Sequence, residues 1–410
     1  MVYTYCVTRF YVGKPAQPRD LIDRKSECDY LLERLRSKKI SYNIALLGYR
    51  RIGKTSIILK TQSQLDKDPN FVTVYFDVKH HMAEPKTFLN RLEKAIFDAY
   101  ITKLSTSAKI GAKTSKSLEI FSRIKDALTS KKIKSVSASI STDGVITPSI
   151  EFGEKQVSDY SSLFLSVLQT PTAFADKSGL KFVIILDEFQ DLHKLDRYPG
   201  LKDIFGLFRS ITQQRGNNVS FVISGSRVHM LENILGSGES SLFVHFQILK
   251  IEEMDEENSV KLFNAYLKAR KLKPNNVVSK QAFQLVGGQP FYLMALADRW
   301  SPKTSVENEY KHSLTDSLGS LKLYADYLLS EDLSEVQSGP ISKTILQVLA
   351  SVGGCSISEL ARAIDTPLTK LPRYLNPLSD ADLILKKDGK YQIRDKILRD
   401  YLKFQLESLT

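Results

Sequence analysis

The sequence predicts an α/β fold in which a parallel sheet is covered by helices, followed by a small helical unit and a C-terminal winged helix. Three observations carry this. Apolar and β-branched runs alternate with helical periodicities as far as Glu252. Beyond that residue the strand signals stop and helices follow one another. Near the C-terminus, three closely spaced helices lead into two short strands around Asp388-Gly389. Alternating strands and helices imply parallel strands buried on both faces. Three helices and a tight hairpin are the order of a winged helix-turn-helix.

The elements follow in chain order. An N-terminal arm (1–20) leads to a helix in which Cys28, Leu31, Leu32 and Leu35 recur at helical spacing. The strand Asn43 to Leu47 runs into a glycine-containing loop, and a helix opens at Thr55 to Leu59. A second strand spans Phe71 to Val78, and Phe88, Leu89, Leu92, Ile96 and Tyr100 mark a helix from Pro85 to Leu104. Residues from about 105 to 155 form a Ser-, Thr- and Lys-rich insertion with a hairpin, Ser135 to Ser141 and Val145 to Phe152, turning at Asp143-Gly144. A helix from Val157 to Leu168 precedes the strongest buried strand, Lys181 to Leu186. Helix Ile204 to Gln213, strand Val219 to Ser224 and strand Phe246 to Ile251 complete a core unit, 21–252. A helical unit, 253–335, carries helices Glu256 to Arg270, Ser279 to Val286 and Pro290 to Trp300. The winged helix, 336–410, comprises helices Lys343 to Ser351, Ile357 to Ala363 and Leu368 to Leu378, then a wing of Ile384 to Lys387 and Tyr391 to Arg394.

Composition sets limits on function. The 410 residues are 42% hydrophobic and 25% charged, an ordinary globular balance with room for an enzyme-sized core. No apolar run approaches membrane-spanning length and no signal peptide is evident, so no membrane partner is expected. Cys6, Cys28 and Cys355 are too few and too scattered for a disulfide framework, and a cytoplasmic setting follows as the expectation. None of the histidines has zinc spacing. The formal charge of +12 fits contact with a polyanion, or a merely soluble basic protein. From Lys103 to Lys134 nine basic residues stand against Glu119 and Asp126, a local excess of +7 that argues for a site or an arm.

The chemistry concentrates at Gly48-Tyr49-Arg50-Arg51-Ile52-Gly53-Lys54-Thr55, with Ser56 following. Two glycines let the backbone curl so that its N–H groups face a phosphate, and the next helix adds its positive N-terminus. With ATP or ADP as the bound nucleotide, Lys54 is expected to reach the β-phosphate and, in ATP, the γ-phosphate as well, and the Thr55 hydroxyl to ligate Mg²⁺. The position between a strand and a helix is the context this P-loop pattern requires. Asp187-Glu188 ends the apolar run from Phe182, at the carboxyl end of a central strand where such sheets bind ligands. Asp187 is expected to hold Mg²⁺ through water, and Glu188 to orient and deprotonate the attacking water.

The glycine loop, Asp187-Glu188-Phe189-Gln190 and Gly288-Gln289-Pro290 together resemble the archaeal ATPase family, within the AAA+ superfamily near the STAND ATPases and archaeal replication initiators. Leu21 to Glu27 is similar to that family's entry motif, and Tyr391 to Asp395 with Leu398 to Leu402 to its closing strand and helix. The resemblance covers most of the chain except the basic insertion. It implies a P-loop NTPase core with a helical lid, Ile22 and Arg24 near the adenine, and Pro290 pressing on the nucleotide. A helix start and a helix N1 proline are the plainer readings of these positions. Ser224, Ser226 and Arg227 occupy the place of a phosphate sensor, and Arg227 resembles the STAND sensor arginine. A capping Ser226 with a solvated Arg227 is the alternative. Arg209 and Arg215 are the candidates for an arginine finger.

Lys370, Arg373, Lys386, Lys387 and Lys390 would let the winged helix contact DNA, as would the basic insertion. A winged helix can equally act as an internal switch element. The expectation is a Mg²⁺-dependent ATPase coupled to nucleic-acid work. The alternative is a slow nucleotide switch that scaffolds a protein partner, and homo-oligomerisation fits either.

Overall fold

The computed structural model describes residues 12–110, 133–140, 146–152, 159–214, 218–238, 240–334 and 339–407. Cys6, Arg215, the Asp143-Gly144 turn and residues 111–132 of the basic insertion lie outside them. The core begins with α1 (Lys25–Leu35), β1 (Ile44–Leu47), α2 (Lys54–Leu65), β2 (Phe71–Asp77), the single turn α3 (Val78–His81) and α4 (Pro85–Ile110). The hairpin β3 (Ile133–Ile140) and β4 (Ile146–Phe152) pairs antiparallel, with Ser137 opposite Ser149. Then come α5 (Tyr160–Ser178), β5 (Lys181–Asp187), α6 (Ile204–Thr212), β6 (Val219–Gly225), α7 (Val228–Gly236) and β7 (Gln247–Lys250).

Five strands form one sheet in the order β2-β5-β6-β1-β7, with every neighbouring pair parallel. Strand period 2 sorts their side chains onto two faces. Phe182, Ile184 and Leu186 of β5 join Ala45 and Leu47 in one apolar cluster that takes in α4, α5 and α6. Val183 and Ile185 join Ile44 and Leu46 in the other, against α1 and α2. A sheet covered on both sides in this way explains the unbroken apolar run of β5. Because β6 lies between β1 and β5, the glycine loop and Asp187-Glu188 leave the sheet two strands apart, at the same edge.

The second half of the chain is helical: α8 (Glu256–Ala269), α9 (Asn276–Val286), α10 (Pro290–Arg299), α11 (Val306–Thr315) and α12 (Ser320–Ser334). The winged helix follows with α13 (Gly339–Val352), β8 (Cys355–Ser356), α14 (Ile357–Ala363), α15 (Pro372–Asp380), β9 (Ile384–Lys387), β10 (Lys390–Ile393) and α16 (Lys396–Glu407). Asp388 and Gly389 both adopt positive φ, as a two-residue hairpin turn of type I′ requires. One continuous apolar cluster runs from Met254 to Leu402 and joins the helical unit to the winged helix.

Several elements differ from expectation for identifiable reasons. The helix expected over 157–168 begins at Asp159, whose carboxylate accepts the Ser161 and Ser162 N–H groups at 3.0 and 3.2 Å. It then runs through a buried Pro171 to Ser178. The helix expected over 368–378 is split: a 3₁₀ turn, Leu368–Lys370, precedes α15, which starts on Pro372. Proline lacks the N–H that would continue the helix and is accommodated in a first turn. Helices α3, α7, α11 and α12 were not anticipated.

Candidate active site

The glycine loop joins β1 to α2 at the sheet edge. Gly48 sits where the chain passes the end of β7: a Cβ there would lie 2.9 Å from the Ile251 carbonyl and 3.1 Å from Ile52 Cγ2. Gly53 has φ +105°, a conformation that side chains strongly disfavour, and is the N-cap of α2. Arg51 also has positive φ, 63°. The curled loop brings Lys54 back over its own start, where Nζ donates to the Gly48 carbonyl at 2.6 Å and the Tyr49 carbonyl at 3.0 Å. Burial pushes the Lys54 ammonium below its ordinary pKa, while Glu188 and Asp187 act in the opposite direction. A buried cation drawn to its own carbonyls is chemically ready to exchange them for phosphate oxygens.

Asp187 ends β5 and is 3% exposed. Its Oδ2 accepts from Thr55 Oγ1 at 2.8 Å and from the Tyr75 hydroxyl at 2.9 Å. Its Oδ1 accepts from the Glu188 N–H at 3.1 Å and from the Ser224 hydroxyl. Four donors therefore fix its orientation. Glu188 takes φ +52° and turns the chain from β5 into a 3₁₀ segment, Phe189–Leu195. Its Oε2 accepts from Gln190 Nε2 at 2.6 Å, Ser226 Oγ at 2.8 Å and the Ser226 N–H at 3.2 Å. Burial opposes ionisation of this carboxyl, but Lys54, these hydrogen bonds and Arg50 outweigh it, and its pKa is lowered.

A cleft of about 690 Å³ opens in front of these groups. Of the residues expected from sequence, Ile22, Arg24, Arg50, Arg51, Ile52, Gly53, Lys54, Thr55, Ser56, Glu188, Arg227 and Pro290 line it. Asp187 stands behind Thr55. Tyr49 instead lines a second cavity of about 110 Å³ toward the winged helix, where the Arg394 guanidinium lies over its ring. Arg24 is 5% exposed, and its guanidinium donates to the Glu252 carbonyl at 2.7 Å, the Ile52 carbonyl at 3.3 Å and Glu27 at 3.0 Å. It thus ties the glycine loop to the chain leaving β7, a structural task the sequence did not disclose. Arg209 is exposed on α6 and does not line the cleft.

The helical unit contributes the opposite wall. Gly288 approaches Met254 so closely that a Cβ would meet its carbonyl at 1.8 Å. Gln289 Nε2 donates to the Arg50 carbonyl at 3.0 Å, and Pro290 opens α10 over the cleft. Met254, Phe291 and Tyr324 add apolar surface, with the Arg51 guanidinium 4.2 Å above the Phe291 ring. Sequence reasoning gave no role to Tyr75, Asp77 or Gln190. For Asp77 a signal existed: it ends β2 in register with Asp187, as a second carboxylate closing an apolar strand.

A parallel sheet with the loop strand and the Asp-Glu strand separated by one neighbour, and a cleft ringed by Lys54, Thr55 and Glu188, defines a P-loop nucleoside triphosphatase with a winged-helix C-terminus. The chain belongs to the family described as an ATPase domain predominantly from Archaea, whose pattern matches residues 21–296. It is an ATPase and binds nucleotide. The Walker-type ATPase PABY2304 of Pyrococcus abyssi has a similar fold, with a TM-score of 0.66 and 18% identity over 95% of this chain and 99% of that one. The Aeropyrum pernix ORC2 protein, in ADPNP-ADP complexes, is similar with a TM-score of 0.49 and 13% identity over 97% and 98% of the two chains. No curated protein matches the chain. Among the described residues, no helix is long and apolar enough to cross a membrane.

Proposed function

We propose that the chain is a Mg²⁺-dependent ATPase in which hydrolysis governs how the winged helix sits on the ATPase core, and that this movement serves work on nucleic acid. We divide it into an arm (1–20), the ATPase core (21–252), a helical lid (253–335) and the winged helix (336–410). One observation carries the coupling. The carboxylate of Asp382, just beyond α15, accepts the His229 N–H at 3.4 Å at the start of α7. That helix begins directly after Ser226-Arg227, and Ser226 holds Glu188. The winged helix therefore caps the helix that starts at the hydrolytic turn.

In this reading ATP enters the cleft with its phosphates against the glycine loop and Lys54. The oxygen donors Thr55 and Asp187, held 2.8 Å apart, suit a hard divalent cation. Thr55 and Asp187 would hold Mg²⁺ there, and when bound it would supply charge neutralisation on the phosphate oxygens. Glu188 orients the attacking water and accepts its proton. Arg24 and Ile22 border the base, Pro290 presses from the lid, and Arg227 senses the γ-phosphate from the mouth of α7. Five exposed cations of the winged helix, Lys370, Arg373, Lys386, Lys387 and Lys390, offer phosphate contacts.

A second reading has its own support. Arg394 spans Tyr49 of the glycine loop and Asp382, and the lid shares one core with the winged helix. Such a closed arrangement suits a slow switch that releases a surface to a protein partner. Steady-state ATP hydrolysis with and without double-stranded DNA, at two salt concentrations, separates the two. Stimulation that fades with salt supports nucleic-acid work, and a slow rate indifferent to DNA leaves the switch.

A further inference from the structure

We propose that Gln190 is the positioning residue that fixes the Glu188 carboxylate for hydrolysis, by clamping it against the Gly225-Ser226 turn at the end of β6. The inference rests on the reading of Glu188 as the group that activates water. Gln190 is 2% exposed and lies in the 3₁₀ segment immediately after Glu188. Its side chain folds back, and Nε2 donates to Glu188 Oε2 at 2.6 Å. That same oxygen receives the Ser226 hydroxyl and N–H. One donor comes from the chain after β5 and two from the chain after β6, so the carboxylate bridges two neighbouring strands.

The slot that admits Gln190 is made by a missing side chain. A Cβ on Gly225 would stand 2.1 Å from Gln190 Oε1 and 3.2 Å from its Cδ. Gly225 is not among the glycines at positive φ, so the position needs the space and not the backbone freedom. Gln190 Oε1 is buried with no hydrogen-bond partner. Buried acceptors are ordinarily paired, so the amide is held by its donor side: Nε2 lies 2.6 Å from Glu188 Oε2 and, more distantly, 3.5 Å from Asp191 Oδ1. A carboxylate accepts only, which makes a neutral donor of this length the fitting partner.

The test uses the full chain, with ATP turnover at saturating Mg²⁺ and ATP. Gln190→Met keeps the volume and removes the donor; Gln190→Asn keeps an amide but withdraws it by one methylene. Both are expected to lower kcat about tenfold, the scale of a lost hydrogen bond to a charged group. KM, the affinity for a fluorescent ATP analogue and the melting temperature should stay close to wild type. In a Glu188→Gln background, Gln190→Met should change the residual rate by less than about twofold, because the group it positions is gone. Wild-type kcat in both single variants, or an undiminished tenfold loss in the Glu188→Gln background, overturns the inference. Full turnover by Glu188→Gln alone overturns the reading of Glu188 as well, which keeps the two failures distinct.

Discussion

Asp382 offers the sharpest perturbation of the contact between winged helix and core. Its side chain is 12% exposed, faces Arg394 at 3.9 Å and caps the first turn of α7. Losing a helix cap costs roughly 1 kcal/mol, and a partly buried charge partner adds about as much. Together these amount to about 2 kcal/mol, or roughly 30-fold in the ratio of docked to undocked molecules. Asp382 has φ +57°, which asparagine tolerates and alanine does not. Asp382→Asn should therefore lose the charge and keep the acceptor, whereas Asp382→Ala loses both and strains its own loop. Hydrogen exchange reads the result directly. Amides of Val228 and His229 should exchange about 30-fold faster in the alanine variant and only several-fold faster in the asparagine variant, with β5 unchanged. Unaltered exchange at 228–229 in both variants would refute the docking argument.

Other consequences follow from the same geometry. Gly48→Ala sets a Cβ 2.9 Å from the Ile251 carbonyl, a backbone atom that cannot move aside cheaply. A loss of about 1–3 kcal/mol is expected, with weaker stabilisation of the melting temperature by ADP. Glu27 is opposed by burial, but Ser26, its own backbone N–H and Arg24 together lower its pKa below the ordinary 4.5. Its stabilisation is present above that value and is lost as pH falls through the lowered one. The melting temperature of wild type should therefore exceed that of Glu27→Gln at neutral pH, and the gap should close in acid. A constant gap would show that the Glu27 charge contributes nothing.

The parts of the site that could be read in the sequence were those written locally. The glycine loop, Asp187-Glu188 and the Asp388-Gly389 turn each depend on a few consecutive residues whose backbone needs are distinctive. The strands of the core were legible for the same reason, since burial on both faces leaves unbroken apolar runs. What escaped depends on residues far apart in the chain. Arg24 meets Glu252 across 228 positions, and Asp382 meets His229 across 153. Neither partner carries a signal until the fold brings it near. Arg24 illustrates the limit: its place at the cleft was anticipated, but its hold on the Ile52 and Glu252 carbonyls was not. Pro372 divided a helix that periodicity alone had drawn as continuous, and Pro171 failed to end one. Pro372 acts by a local rule, the missing N–H that starts a new helix there, whereas the buried Pro171 is kept within α5 by tertiary packing that no local rule contains.

In the proposed mechanism Glu188 performs the hydrolytic step in a cleft that binds ATP independently of it. Single-turnover hydrolysis by Glu188→Gln, measured beside its affinity for ATP, tests this most directly. ATP affinity should stay within about threefold of wild type while hydrolysis becomes at least about 100-fold slower. Turnover that survives the substitution undiminished would contradict this mechanism.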